Sequence, residues 1–174
     1  MGKVIINESD MIFGEYESEN VFQIEKSNMY TSQMRDNEVK VTEFVLLRDK
    51  KLLFLEAKKS TPNYINCRES EEKLKKYNEY IQAICDKFSH SVAMYMSMCL
   101  NRLESDEIPK NMLIQKERQF QIVLVLVVKN SFSDSLIHYK EILEKRLKPE
   151  MRIWNVNSLI VISEETAKKK GLAL

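Results

Sequence analysis

Glu56, Ala57 and Lys58 place a carboxylate and an ammonium two residues apart, directly after the apolar run 52–55. Side chains two apart on a strand point to the same face, so both groups would emerge together from the end of a buried strand. The bare pattern of an acid, any residue and a lysine carries little, since it recurs at 38–40, 49–51 and 71–73. Context separates 56–58 from the others. A second apolar run, 41–47, lies across Arg48, Asp49 and Lys50 and reads as the partner strand of a hairpin. With the turn centred between Asp49 and Lys50, Glu43 falls opposite Glu56. Opposed residues of an antiparallel pair have Cβ atoms about 4.5–5.5 Å apart, close enough for two carboxylates to share one cation. Without a cation or a proton between them the two like charges repel. Carboxylate oxygens are hard ligands that suit Mg²⁺ or Mn²⁺. Lys58 beside such an ion would orient or help deprotonate an attacking water, while the ion lowers that water's pKa and screens charge growing on a phosphate.

These groups need a sheet to hold them. Both runs are apolar on both alternating faces: Val45 and Leu47 stand opposite Phe44 and Leu46, and Leu52 and Phe54 opposite Leu53 and Leu55. Such strands belong in the middle of a sheet covered on each side. Ser60, Thr61, Pro62 and Asn63 break the pattern and lead into a long helix over 69–100, where Leu74, Tyr77, Ile81, Ile84, Phe88, Val92 and Tyr95 recur every three or four residues. Lys73, Lys75, Lys76 and Lys87 lie among them and read as a solvated face. Residues 101–117, charged and containing Pro109, read as a surface loop. Residues 120–128 and 158–163 read as strands. Between them, 134–147 forms a helix with Leu136, Tyr139, Ile142, Leu143 and Leu147 towards the core. This strand, helix, strand order predicts parallel pairing with a right-handed crossover. A last helix over 164–170 should close at Gly171. In the first 40 residues, 11–13 and 21–24 are short apolar pieces separated by Glu15, Glu17 and Glu19, which suggests a short helix or strand followed by a strand. The expected architecture is a single α/β domain over 1–174: a central mixed β-sheet with an antiparallel hairpin followed by a β-α-β unit, and helices on both faces.

Composition narrows the chemistry further. The chain has 174 residues, 44% hydrophobic and 30% charged, long enough for one well-buried core. With only 3 glycines, none close to another, it cannot write a Walker loop, a dinucleotide fingerprint or a nucleophile elbow. The 3 cysteines, Cys67, Cys85 and Cys99, are widely spaced and read as reduced thiols. His90 and His138 are far apart and read as polar helix surface. The apolar run Val4, Ile5, Ile6 is too short for a secretory signal, and no stretch is long enough to span a membrane, so the expected location is cytoplasmic.

Glu43, then Glu56 and Lys58 thirteen and fifteen residues later across a hairpin, resembles the active-site signature of the PD-(D/E)XK nuclease superfamily, the restriction-endonuclease-like fold. The resemblance extends to the order of elements over about residues 10 to 165. It implies that Glu43 and Glu56 hold Mg²⁺ or Mn²⁺, that the backbone carbonyl of Ala57 joins them, and that Lys58 serves the water. It also implies an extra acid on a leading helix, a role for which Glu25 or one of Glu15, Glu17 and Glu19 is the candidate. The first acid here is Glu43, where the family more often has Asp, and Thr42 stands in place of the name-giving proline. The implied activity is metal-dependent hydrolysis of phosphodiester bonds in nucleic acid, with DNA the expected substrate.

Charge tempers that expectation. With 27 Lys+Arg against 26 Asp+Glu the net charge is +1, and no basic stripe of the kind seen in unaided duplex binders runs along the chain. Lys59, Arg48, Lys50 and Lys51 flank the hairpin and could hold phosphates. Lys73, Lys75 and Lys76 could add a local patch. Tyr64 and Tyr80 could stack on bases, whereas Tyr77 falls on the apolar helix face. Met94, Met96 and Met98 alternate, so they suggest an exposed apolar side and a homodimer through the helix around 69–100. The alternative expectation is therefore a catalytically idle binding or assembly module with the same fold, serving dimerisation or a protein partner in a defence or repair complex.

Overall fold

The two apolar runs around Arg48 pair as a hairpin, and the rest of the molecule is assembled on it. A computed structural model describes residues 2–115, 120–131 and 133–174. Strand β1 (Lys3–Glu8) and β2 (Met11–Glu17) form a separate antiparallel pair, followed by a short β3 (Val21–Phe22), then β4 (Phe44–Arg48) and β5 (Lys51–Ser60). Helix α1 (Glu71–Cys99) leads to β6 (Gln121–Asn130), α2 (Ser133–Arg146), α3 (Lys148–Ile153), β7 (Val156–Ser163) and α4 (Glu164–Lys169). The main sheet has five strands in the order β3-β4-β5-β6-β7. Its β3–β4 and β4–β5 pairs are antiparallel, and β5–β6 and β6–β7 are parallel. The α/β class and the antiparallel hairpin running into parallel strands are as the sequence predicts.

The hairpin register is also the expected one, with Phe44 paired to Leu55 and Arg48 to Lys51. Asp49 and Lys50 both have positive φ, 50° and 60°. That is the conformation of a two-residue type I′ turn, whose twist matches the strands it joins. Alternation then sorts the side chains. Val45, Leu52, Phe54, Ile122, Leu124, Leu126 and Val128 face a core built with α1 and α2. Phe44, Leu46, Leu53, Leu55, Val123, Val125 and Val127 face a second core closed by β1, β2 and α4. Each side of the sheet is covered, as two-sided apolar strands require. The second side is covered by the β1–β2 hairpin as well as by a helix.

Helix α1 is 29 residues long. Ser70 caps it by accepting the Lys73 N–H at 3.2 Å. Tyr77, Ile81, Ile84, Phe88, Val92 and Tyr95 are buried along one face. Leu74, at 42% exposed, is not part of it. The methionine expectation is corrected: Met94 and Met98 are buried and Met96 is packed against the same core. The cause is the segment after α1, which folds back over the helix end. Tyr95 Oη donates to the Met112 carbonyl at 2.6 Å, and Ile108 and Met112 are buried. The described part of the expected surface loop, 101–115, thus contributes to the core; residues 116–119 lie outside the described residues. The three methionines therefore do not form the exposed apolar side that suggested a homodimer. Among the described residues no helix is long and apolar enough to cross a membrane. Cys67, Cys85 and Cys99 are free.

Candidate active site

Strand β5 outruns its antiparallel partner. Pairing with β4 stops at Leu55, while pairing with β6 continues to Ser60. Glu56, Ala57 and Lys58 therefore lie on a stretch held on one side only, at the carboxyl end of a parallel strand, where α/β sheets commonly place their sites. Glu56 shares its face with Leu52 and Phe54, so it points under α1 and is 0% exposed. Lys58 follows on the same face, 2.8 Å from Glu56 Oε1. Glu43 precedes β4 and is 8% exposed; its N–H donates to the Leu55 carbonyl at 3.1 Å, one residue out of step with the ladder.

The two acids converge on a residue the sequence reading assigns to a solvated face. Lys87 Nζ, from α1, lies 3.3 Å from Glu43 Oε1 and 3.0 Å from Glu56 Oε1, with its side chain 18% exposed. It donates a hydrogen bond to Glu56 Oε2 at 3.1 Å. Glu56 Oε1 takes no hydrogen bond of proper geometry, although both ammonium groups are within ion-pair distance of it. The helix places Lys87 there because it stands three residues after Ile84 and four before Ser91, both fully buried. That spacing is the signal in the sequence that marks Lys87 as inward-facing. Lys73, Lys75 and Lys76, by contrast, are exposed and pair with Glu69, just before α1, and with Glu79 and Glu72 on it.

Two further acids stand beside Glu43. A turn of 3₁₀ helix, Ile24–Lys26, anchored by the fully buried Ile24, presents Glu25. Glu8 comes from the end of β1. One carboxylate oxygen from each of Glu8, Glu25 and Glu43 lies within 4.8 Å of the others. Glu25 is thus next to Glu43, on a 3₁₀ turn. Glu8 was not foreseen, because β1 is a short apolar run with no sequence signal tying it to the hairpin. Lys26 Nζ pairs with Glu8 at 3.2 Å.

The β1–β2 turn closes the open edge of β5. Ser9 Oγ donates to the Ala57 carbonyl at 3.0 Å, and Asp10 pairs with Lys59 at 2.7 Å. A carbonyl has two lone pairs, so the Ala57 oxygen keeps one acceptor position. Arg48 is engaged at the far end of the sheet, donating to the Lys170 carbonyl at 2.8 Å. Tyr80 Oη donates to the Ser60 carbonyl at 3.3 Å, at the end of β5. Tyr77 is buried and meets His138 Nε2 at 2.8 Å, while Tyr64 stacks on the His138 ring with centroids 3.6 Å apart. His90 Nδ1 accepts the Lys40 N–H at 3.0 Å.

Electrostatics reflect the crowding. Burial pushes the Glu43 carboxyl up to about 9, helped by a hydrogen bond with Glu25 and the charge of Glu56 and opposed by Lys87. Burial raises Glu56 as well, against the pull of Lys87 and Lys58. For Lys87, burial acts to lower the ammonium, but the charges of Glu56 and Glu43 outweigh it and hold the group above the ordinary lysine range. The donor set is thus rich in hard oxygens, and the Lys87 ammonium together with the raised Glu43 carboxyl limits the negative charge gathered there. A divalent ion fits those groups chemically.

No family model, no curated protein and no solved structure matches the chain.

Proposed function

We propose that this protein is a divalent-metal-dependent nuclease of the PD-(D/E)XK type that hydrolyses phosphodiester bonds in DNA. The observation that carries this reading is the meeting of Glu43, just before β4, and Glu56, on β5, on a single cation, with Lys58 2.8 Å from the Glu56 carboxylate. Glu43 and Glu56 would hold Mg²⁺ or Mn²⁺, with the Ala57 carbonyl and Glu25 as additional donors. The metal, when bound, lowers the pKa of a water and offsets charge building on the phosphate. Lys58 orients the attacking water and the scissile phosphate through its remaining N–H groups. Glu56 holds Lys58 in place by its buried charge.

One observation favours a second reading, the catalytically idle module. Lys87 already bridges both acids, as a permanent internal ion pair would. The two readings separate in one experiment: linear and supercoiled DNA, with RNA alongside, incubated with Mg²⁺ and with wild type, Glu56→Ala or Lys58→Ala protein. Cleavage by wild type that both variants lose supports the nuclease. Absence of cleavage by folded wild type with Mg²⁺ and with Mn²⁺ favours the module.

A further inference from the structure

We infer that Lys87 is a built-in counter-cation of the Glu43–Glu56 pair, one that holds the position of a divalent ion and must swing aside for it. The inference rests on the metal site proposed above and adds a control on that site. The Lys87 ammonium lies 3.3 Å from Glu43 Oε1 and 3.0 Å from Glu56 Oε1. A magnesium ion binds carboxylate oxygens at about 2.0–2.1 Å, so the same two oxygens cannot hold both it and the ammonium in their present places. The ammonium is the movable partner. Its four-carbon stem is flexible, and its side chain, 18% exposed, retains a route to solvent, whereas Glu56 is 0% exposed and fixed on β5.

The buried pair explains why a lysine stands there at all. A buried carboxylate without a counter-charge is strongly destabilising, and a second one beside it adds repulsion as soon as it ionises, so removing the cation between them leaves buried charge uncompensated. Lys58 answers part of Glu56, but nothing except Lys87 spans from Glu56 to Glu43 among the described residues. Glu56 Oε1, buried and without a proper hydrogen bond, is an acceptor that a more closely bound cation would satisfy. Lys87 therefore keeps the metal-free protein folded and, by competing for the same oxygens, weakens metal binding.

The test is calorimetric titration with Mn²⁺ of wild type, Lys87→Gln and Glu43→Gln proteins. Lys87→Gln should bind Mn²⁺ about tenfold tighter than wild type, equivalent to about 1.4 kcal/mol. Binding by Lys87→Gln where wild type shows none also supports the inference. Equal or weaker binding by folded Lys87→Gln, with Glu43→Gln inactive in binding, overturns the role of Lys87 and leaves the metal site standing. No binding by any of the three removes the site and the inference together. Should Lys87→Gln fail to fold, the wild-type protein supplies the answer. Acetylation of Lys87 by acetic anhydride, read by mass spectrometry, should rise severalfold on adding saturating Mn²⁺; unchanged labelling overturns the displacement.

Discussion

The backbone N–H of Thr42 donates to Ser91 Oγ at 2.7 Å, across the gap between the segment before β4 and the middle of α1. The Thr42 hydroxyl reaches the same oxygen at 3.1 Å, and both residues are fully buried. Thr42 adjoins Glu43, and Ser91 stands one helical turn beyond Lys87. This clamp therefore fixes the distance between an acid and its counter-cation. Ser91→Ala would strand a buried N–H, which costs about 1–3 kcal/mol. Urea denaturation should register a loss of that size; full wild-type stability would show that the contact does not hold the two elements together.

Glu43→Gln removes one carboxylate from the pair while keeping its shape. Mn²⁺ binding, measured by calorimetry, should be abolished or fall by at least about a hundredfold, since a hard divalent ion then loses a charged ligand. Retained affinity would move the ligand set to Glu8 and Glu25.

The proton on Glu43 makes stability depend on pH. In the unfolded chain this carboxyl titrates near its ordinary 4.5, whereas burial keeps it protonated in the fold up to about 9. Between those values the native state holds a proton that the unfolded state has released. The contribution of this proton to stability is therefore fully present below the lower value, falls as pH rises through the window, and is gone above the upper one. Glu56, raised by burial, acts in the same direction. Urea midpoints should decline from about pH 5 to about pH 9, and Glu43→Gln should flatten the decline. A profile that rises with pH in both proteins would contradict the assignment of a buried proton to Glu43.

Phe88 is fully buried between α1 and the sheet, one residue after Lys87. Phe88→Ala should destabilise the protein by about 3–5 kcal/mol through lost burial and the cavity left behind. A thermal or chemical melt decides it. A smaller loss would mean that α1 settles onto the sheet and carries Lys87 with it, in which case Mn²⁺ affinity should change too.

The hairpin of β4 and β5, its register, the parallel β6 and β7 and the core face of α1 were all legible in the sequence. Each is set by local periodicity and a two-residue turn, which act over a few residues. The same reasoning placed Glu43 near Glu56 and put Lys58 on its face. It missed β1, because Lys3–Glu8 closes only against β2 and the second face of the sheet, a packing with no local trace. It missed the burial of the methionines, because the covering segment lies at a distance along the chain that periodicity does not sense.

Lys87 marks the boundary most clearly. The residue types and spacing determined by themselves that two acids and a lysine meet on one hairpin, since strand geometry fixes neighbours at short range. Only the tertiary structure decided that the cation between those acids is a lysine from α1 and that Glu8 and Glu25 crowd beside them. Which charges a buried carboxylate meets depends on how a helix rotates over a sheet, and that is settled by the packing of the whole core.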